Sequence, residues 1–72
     1  MAENFQSIAN ERALLRRRQV EQLVRLSRSS IYAAVAAGTF PAPVRIGSRA
    51  VAWRLAEVLS WVAARPSVGS HA

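Results

Sequence analysis

The fold of this chain is decided by residues 17–38, which read RRQVEQLVRLSRSSIYAAVAAG. In the first half of this stretch, Val20, Leu23 and Val24 are spaced i, i+3 and i+4. This spacing places one apolar stripe on a helix from about Arg17 to Arg25. Because arginines occupy the positions where a Ser or Asp cap is expected, the start of this helix is predicted to lack a good cap.

The second half of the stretch predicts another helix, whose two ends are well marked. Ser27 is suited to be its N-cap, since a serine hydroxyl accepts a hydrogen bond from a free amide of the first turn. Gly38 can adopt the left-handed conformation that ends a helix. Between these two residues, Ile31, Ala34 and Val35 form the apolar stripe.

The linker between the two predicted helices is residues 25–27. A linker this short excludes antiparallel packing across a long loop but suits two helices that cross steeply. The spacing is therefore typical of a helix-turn-helix.

The segment after the second helix predicts an extended path and then a β-hairpin. Residues 40–43 read FPAP, and the two prolines exclude a helix there. Residues 44–46 (VRI) alternate apolar and polar side chains, residues 51–53 (VAW) are apolar, and a turn at 47–50 that contains Gly-Ser joins the two segments. A hairpin in this position would form a wing beside the helix-turn-helix.

The final helix is predicted from four apolar residues that repeat at i, i+3, i+4 and i+7, namely Leu55, Val58, Leu59 and Val62. We expect this stripe to close the core and Pro66 to end the helix. Trp53 is most simply a core residue. For Trp61, at the flank of the stripe, packing is the favoured interpretation and an exposed anchor for a protein partner is the alternative.

These elements predict a mainly α, winged helix-turn-helix domain with three helices and a two-stranded wing. The domain is expected to span residues 13–65, between a flexible arm at 1–12 and a flexible tail at 66–72. A chain of 72 residues has room for one such domain. Since cysteine is absent, its stability must come from apolar packing without disulfides or a thiolate metal site.

The charge of the chain favours a polyanionic partner. Ten arginines, no lysine and four glutamates give a formal net charge of +6. Such an excess points to nucleic acid or an acidic membrane surface. The membrane alternative is disfavoured because the apolar stripes are needed for a core.

Nothing in the sequence predicts catalysis, a metal site, a cofactor or a small-molecule effector. The single histidine, His71, lies in the expected tail, and no glutamate pairs with another in a plausible site. Residues 1–10 lack the basic start and apolar run of a signal peptide. The most apolar stretch, residues 31–37, is too short to span a bilayer, so we expect a bacterial cytoplasmic location, on the nucleoid when bound to DNA.

Residues 26–62 read LSRSSIYAAVAAGTFPAPVRIGSRAVAWRLAEVLSWV, and several of their motifs occur together in one family. The motifs are Leu-Ser-Arg-Ser-x-Ile-Tyr, Gly-x-Phe-Pro-x-Pro-Val, Ile-Gly-x-Arg-Ala-Val-x-Trp and Glu-Val-x-x-Trp, in this order. In these motifs the chain resembles the AlpA-type prophage regulators and related excisionases, whose fold is a MerR-like winged helix-turn-helix. Two positions depart from the family: Ala33 stands where a basic residue is common, and Arg25 where a glycine is common in the turn.

The second helix would be the recognition helix, since base contacts come mainly from the N-terminal residues of such a helix. Arg28 can reach a guanine or a phosphate, and Tyr32 can contact a thymine methyl or a phosphate; the alternatives are a solvated arginine and a half-buried packing tyrosine. The candidate contact residues on this helix are Ser27, Arg28, Ser29, Ser30, Tyr32 and Ala33.

The wing and the flanking arginines supply the other candidates. In the wing, Arg45 alternates with Val44 and Ile46, which are expected to point inward, and Arg49 at the turn can enter a minor groove. The alternative for each arginine is a solvated charge. The candidate wing residues are Arg45, Ser48 and Arg49, and the candidate backbone contacts are Arg16, Arg17, Arg18, Arg25 and Arg54.

The resemblance implies an excisionase, or recombination directionality factor. Several copies would bind double-stranded DNA side by side near an attachment site, bend it and help a tyrosine recombinase to excise an integrated element. An AlpA-type transcriptional regulator of a prophage or integrative element is the close alternative. From another class, a non-catalytic interaction or self-assembling module would bind its partner with little dependence on salt.

Overall fold

The structure, a computed structural model, describes residues 12–68. Most of the predicted arm and the last four residues of the predicted tail, His71 among them, lie outside this range. Within it, three helices and three short strands follow one another as β1 (Leu14–Leu15), α1 (Arg17–Val24), α2 (Arg28–Ala37), β2 (Val44–Arg45), β3 (Val51–Arg54) and α3 (Leu55–Ala63). The predicted fold class, three helices with a small β wing, is confirmed.

The helix-turn-helix is formed by α1 and α2, and local bonds define its ends. The Ser27 Oγ accepts a hydrogen bond from the Ser30 N–H at 3.2 Å, which confirms the predicted cap of α2. Gly38, with φ of 80°, ends that helix in the left-handed conformation. At the start of α1, no serine or aspartate is present, and the Gln19 Oε1 instead accepts from the Arg16 N–H at 2.8 Å.

The turn between the two helices contains one strained residue. Arg25 has φ of 62° and ψ of 34°, and it is the one non-glycine residue with positive φ in the described chain. Its N–H donates to the Glu21 carbonyl at 2.8 Å, so the left-handed backbone closes α1 as a glycine would. The turn position at which family members often carry glycine is therefore left-handed here as well.

The sheet is antiparallel and has the order β1-β3-β2. The predicted hairpin is β2 and β3, with Val44 opposite Ala52, and the Ile46 N–H closes its turn by donating to the Ala50 carbonyl at 2.9 Å. Sequence analysis did not predict β1, which pairs with the other edge of β3 and places Leu15 opposite Trp53.

The core is centred on Trp53, which is 0% exposed and donates its Nε1–H to the Pro41 carbonyl at 2.8 Å. The predicted core position of this tryptophan is confirmed. Six further buried side chains belong to the same core cluster, and they come from β1, the three helices and the segment after α2: Leu15, Val20, Ile31, Phe40, Leu55 and Val58.

Three predictions about apolar faces were wrong in part. Ile46 is 44% exposed, because β2 ends at Arg45 and the following residue already belongs to the turn. In α3, Leu55 and Val58 are buried, but Leu59 and Val62 are 44% and 40% exposed, since neither of them packs against the core cluster. Leu23, on the α1 stripe, is 42% exposed for a similar reason: Val20 alone is buried in that helix.

Trp61 packs against the domain as the favoured interpretation predicted. Its ring meets Phe40 edge-on, with 4.8 Å between centroids, and its Nε1–H donates to the Thr39 carbonyl at 2.7 Å. The Arg65 guanidinium lies 4.2 Å from the centroid of the same ring. Trp61 thus joins α3 to the segment that follows α2.

Candidate nucleic-acid interface

Five arginines from three separate segments line one open depression, which we call the basic groove. It has a volume of about 380 Å³. The segments are the start of α1, the first turns of α2 and the turn of the wing. The lining residues are Arg16, Arg17, Arg18, Arg28, Tyr32, Arg49 and Val51.

The helix-turn-helix and the sheet together explain why these residues meet. The turn between α1 and α2, closed by the left-handed Arg25, brings the arginines at the start of α1 and Arg28 at the start of α2 to one groove. The strand β3 contributes Val51 to the same face, and the wing turn carries Arg49 beside it. Residues that are up to 33 positions apart in sequence, from Arg16 to Arg49, therefore share one concavity.

The electrostatics of this face favour an anion. The first turns of α1 and α2 contain no acidic residue, so nothing there offsets the positive ends of the two helices. Adding arginines at that end is unfavourable for the isolated domain unless an anion compensates. A run of anionic groups laid along the groove would supply that compensation.

One groove arginine already has an acidic partner. Arg17 forms an ion pair and hydrogen bond with Glu21, one turn further along α1. Sequence analysis did not single out Glu21, although its i, i+4 spacing from Arg17 is the usual signal for such a pair. The pair orients Arg17 along the helix and lowers the net charge that it brings to the groove.

Tyr32 connects the groove to the core. Its ring stands edge-on to Trp53, with 5.9 Å between centroids, and the Arg28 guanidinium lies over the Tyr32 ring, 5.9 Å from its centroid. The side chain is 37% exposed. Tyr32 is therefore a half-buried packing residue that also lines the groove, and its contact with a thymine methyl or a phosphate stays a prediction.

The outward face of α2 carries small side chains. Ser29, Ala33 and Ala36 are exposed on this face. Ser30 is exposed too, but its N–H donates to the Ser27 Oγ, and its own Oγ accepts from the Ser27 hydroxyl at 3.1 Å. Both members of that serine pair are thus engaged in holding the start of the helix.

Three arginines that sequence analysis proposed for DNA contact lie outside the groove lining. Arg25 is exposed in the turn between α1 and α2. Arg54 precedes α3, where its Nε lies 4.0 Å from a carboxylate oxygen of Glu57. The Arg45 Nη1 donates to the Ser48 carbonyl at 3.1 Å, within the wing turn.

Residues 12–68 hold neither a metal-binding cluster nor a membrane-spanning helix. No group of three or more His, Cys, Asp or Glu side chains in this range could hold a metal ion. No helix in the same range has the length and apolar character that crossing a membrane requires.

The fold and the groove define the chain as a winged helix-turn-helix protein with one strongly basic face. Its sequence matches the family described as the prophage CP4-57 regulatory protein, AlpA, over residues 13–66. It is also 45% identical over 58 residues to an uncharacterized protein, ORF88, of Enterobacteria phage P4. That alignment covers 81% of this chain and 65% of the phage protein, so the chain spans less than two thirds of that relative. The chain belongs to the AlpA family of prophage regulatory proteins.

Proposed function

We propose that the chain binds double-stranded DNA through the basic groove and thereby regulates a prophage or another integrated element. The observation that supports this most directly is the meeting of five arginines from α1, α2 and the wing on one face. Guanidinium groups match phosphate oxygens in geometry as well as in charge. The role is one of binding, in which the protein supplies shape and charge.

The proposed docking follows from the positions of the groove residues. The first turns of α2 enter the major groove, where Arg28 reaches a guanine edge or a phosphate. The wing turn then lies along the DNA backbone beside the major groove. From there, Arg49 enters the adjacent minor groove or contacts the phosphates that flank it. Arg16 and Arg18, at the start of α1, contact the phosphate backbone. Arg25 and Arg54 lie outside the groove lining and would contact phosphates of a longer or bent duplex.

The small side chains of α2 suggest how a DNA site would be chosen. Ser29, Ala33 and Ala36 can form few hydrogen bonds to base edges, so direct base readout would depend on Arg28 and Tyr32. Backbone contacts and the deformability of the duplex would then supply much of the selectivity. We therefore expect a moderate preference for sequence and a marked preference for a flexible or narrow-grooved site.

Regulation of transcription is the role closest to the family to which the chain belongs. The finer proposal is that the protein also acts as an excisionase, binding cooperatively in several copies near an attachment site and assisting a tyrosine recombinase. Binding that depends on phosphate contact and DNA shape suits a protein that bends DNA. Two assays run in parallel separate the two roles: an excision assay with the cognate integrase, and a promoter fusion that reports transcription. An effect on the promoter without a gain in excision would mean that the protein regulates transcription and is not an excisionase.

The test of DNA binding uses a duplex from the host element at several salt concentrations. Each phosphate contact should contribute about 0.9 to the slope of log affinity against log salt. We expect Arg28→Ala and Arg49→Ala each to lower the slope by about that amount. Arg65→Ala is the matched control, since it removes the same charge from a residue stacked on Trp61, away from the groove. If all three variants behave like the parent chain, or if the parent shows no salt dependence, an interaction module becomes the better explanation.

A further inference from the structure

Arg45 is exposed on the wing but its guanidinium is turned toward its own hairpin. The Nη1 group donates to the Ser48 carbonyl at 3.1 Å. On the other side of the turn, the Ile46 N–H donates to the Ala50 carbonyl at 2.9 Å. The turn at residues 47–50 is therefore held by one backbone bond at its base and by one side-chain bond nearer its tip.

The bonded carbonyl has a direct geometric relation to the groove. The Ser48 carbonyl and the Arg49 N–H belong to the same peptide unit, which is planar and rigid. Fixing the direction of that carbonyl therefore fixes the peptide plane that contains the Arg49 N–H, and with it the direction in which the Arg49 side chain leaves the turn. Gly47, Ser48 and Arg49 are all exposed, so core packing does not hold this plane.

We infer that Arg45 is a positioning residue, which orders the wing turn so that Arg49 is held over the basic groove. The inference rests on the proposed function and assigns different tasks to two arginines that sequence analysis treated alike. Arg49 lines the groove and would contact DNA, whereas Arg45 is outside the lining and acts through the Ser48 carbonyl. The competing possibility is that the remaining N–H groups of Arg45 contact a phosphate of their own.

A double-mutant cycle separates these two tasks, with duplex affinity and its salt slope measured for four proteins: the parent chain, Arg45→Ala, Arg49→Ala and the double variant. We expect Arg45→Ala to weaken binding roughly three- to tenfold in the parent chain, as the loss of one hydrogen bond of ordinary net strength would. In the Arg49→Ala background the same change should have an effect of less than about twofold, because nothing remains to be positioned. Additive losses, with the slope lowered by a further 0.9 or so in the double variant, would mean a separate phosphate contact and would overturn the inference.

Two further measurements make the result specific to positioning. Backbone ¹⁵N relaxation of the free protein should show faster motion at residues 47–50 in Arg45→Ala and an unchanged wing in Arg49→Ala. Arg45→Lys keeps a donor on a long side chain and should recover part of the lost affinity. If Arg45→Ala leaves both the turn and the affinity unchanged while Arg49→Ala weakens binding, the inference fails and the proposed function stands. If Arg49→Ala and Arg28→Ala also have no effect, the proposed function itself fails.

Discussion

At the scale of single residues, Tyr32 shows how the domain orients the charged side chain of Arg28. The ring contacts both the buried Trp53 and the exposed Arg28. Because Trp53 is fixed by the core and by its bond to the Pro41 carbonyl, it limits where the tyrosine ring can stand. The ring in turn limits where the guanidinium of Arg28 can lie.

This arrangement predicts that the ring of Tyr32 matters more than its hydroxyl. Tyr32→Phe should keep duplex affinity within about twofold, whereas Tyr32→Ala should lower it by roughly tenfold, since cation–π and ring packing contacts are each of order 1 kcal/mol. Fluorescence anisotropy with a labelled duplex measures both. A loss in Tyr32→Phe as large as that in Tyr32→Ala would instead assign the hydroxyl to a phosphate.

Arg25 allows the strain in the turn to be measured. A left-handed backbone costs a residue with a Cβ roughly 1 kcal/mol relative to glycine, so Arg25→Gly should raise the free energy of unfolding by about 0.5–1 kcal/mol. Arg25→Ala removes the same charge but keeps the Cβ, and it should give no such gain. Urea unfolding, with the m-value unchanged between the variants, measures the free energy of unfolding of each. Equal values for the two variants would show that the turn stores no strain.

Part of this local structure could be predicted from the types of residue in the sequence. The Ser27 cap and the Gly38 stop were predictable because each has a local chemical reason. The bond from Arg45 to the Ser48 carbonyl was not, because an exposed arginine has many rotamers and the sequence does not say which one is used. The Arg17–Glu21 pair could have been found from its spacing alone.

At the scale of elements, α2 depends on its first turn more than on its buried face. Ile31 is its one fully buried residue, with Ala34 and Val35 packed only in part. A ten-residue helix of this kind is not stable in isolation, so the cap contributes a large share of its local stability.

We therefore expect Ser27→Ala to lower the free energy of unfolding by about 1 kcal/mol. The matched control is Ser29→Ala, two residues later on the exposed face of the same helix. Thermal or urea unfolding followed by circular dichroism provides the comparison. Equal stability of the two variants would indicate that water caps α2 as well as the serine does.

The elements also show where sequence patterns stop being informative. The strand β1 has two residues, which is too few to display any period, so its existence depends on the free edge of β3 beside it. The apolar stripe predicted a helix at α3 correctly, but two of its four residues, Leu59 and Val62, are not covered by the small core. Periodicity gives the face of a helix, whereas the size of the partner surface decides how much of that face is covered.

At the scale of the whole molecule, the domain is held by one small core around Trp53. A single core in a domain of this size rarely supplies more than about 3–5 kcal/mol to the free energy of unfolding. Removing a buried tryptophan costs about the same amount. Stability and groove geometry therefore depend on the same residue.

Trp53→Ala should accordingly leave the chain largely unfolded at 25 °C. Leu59→Ala, which shortens an exposed side chain on α3, should remain folded with a loss below about 1 kcal/mol. Circular dichroism and the dispersion of amide proton shifts distinguish the two outcomes. A folded Trp53→Ala variant would contradict the single-core description, and strong destabilisation by Leu59→Ala would mean that α3 is covered in solution.

The exposed methyl groups of Ala33 and Ala36 have a consequence for how this protein can change. The ends of α2 are fixed at Ser27 and Gly38, and neither alanine is buried, so a longer side chain at position 33 disturbs no packing. One codon change there can add a hydrogen-bonding group to the exposed face of α2, on the same helix as Arg28 and Tyr32. Under the proposed docking, a new target preference could then arise in a single step, without first evolving a more stable domain.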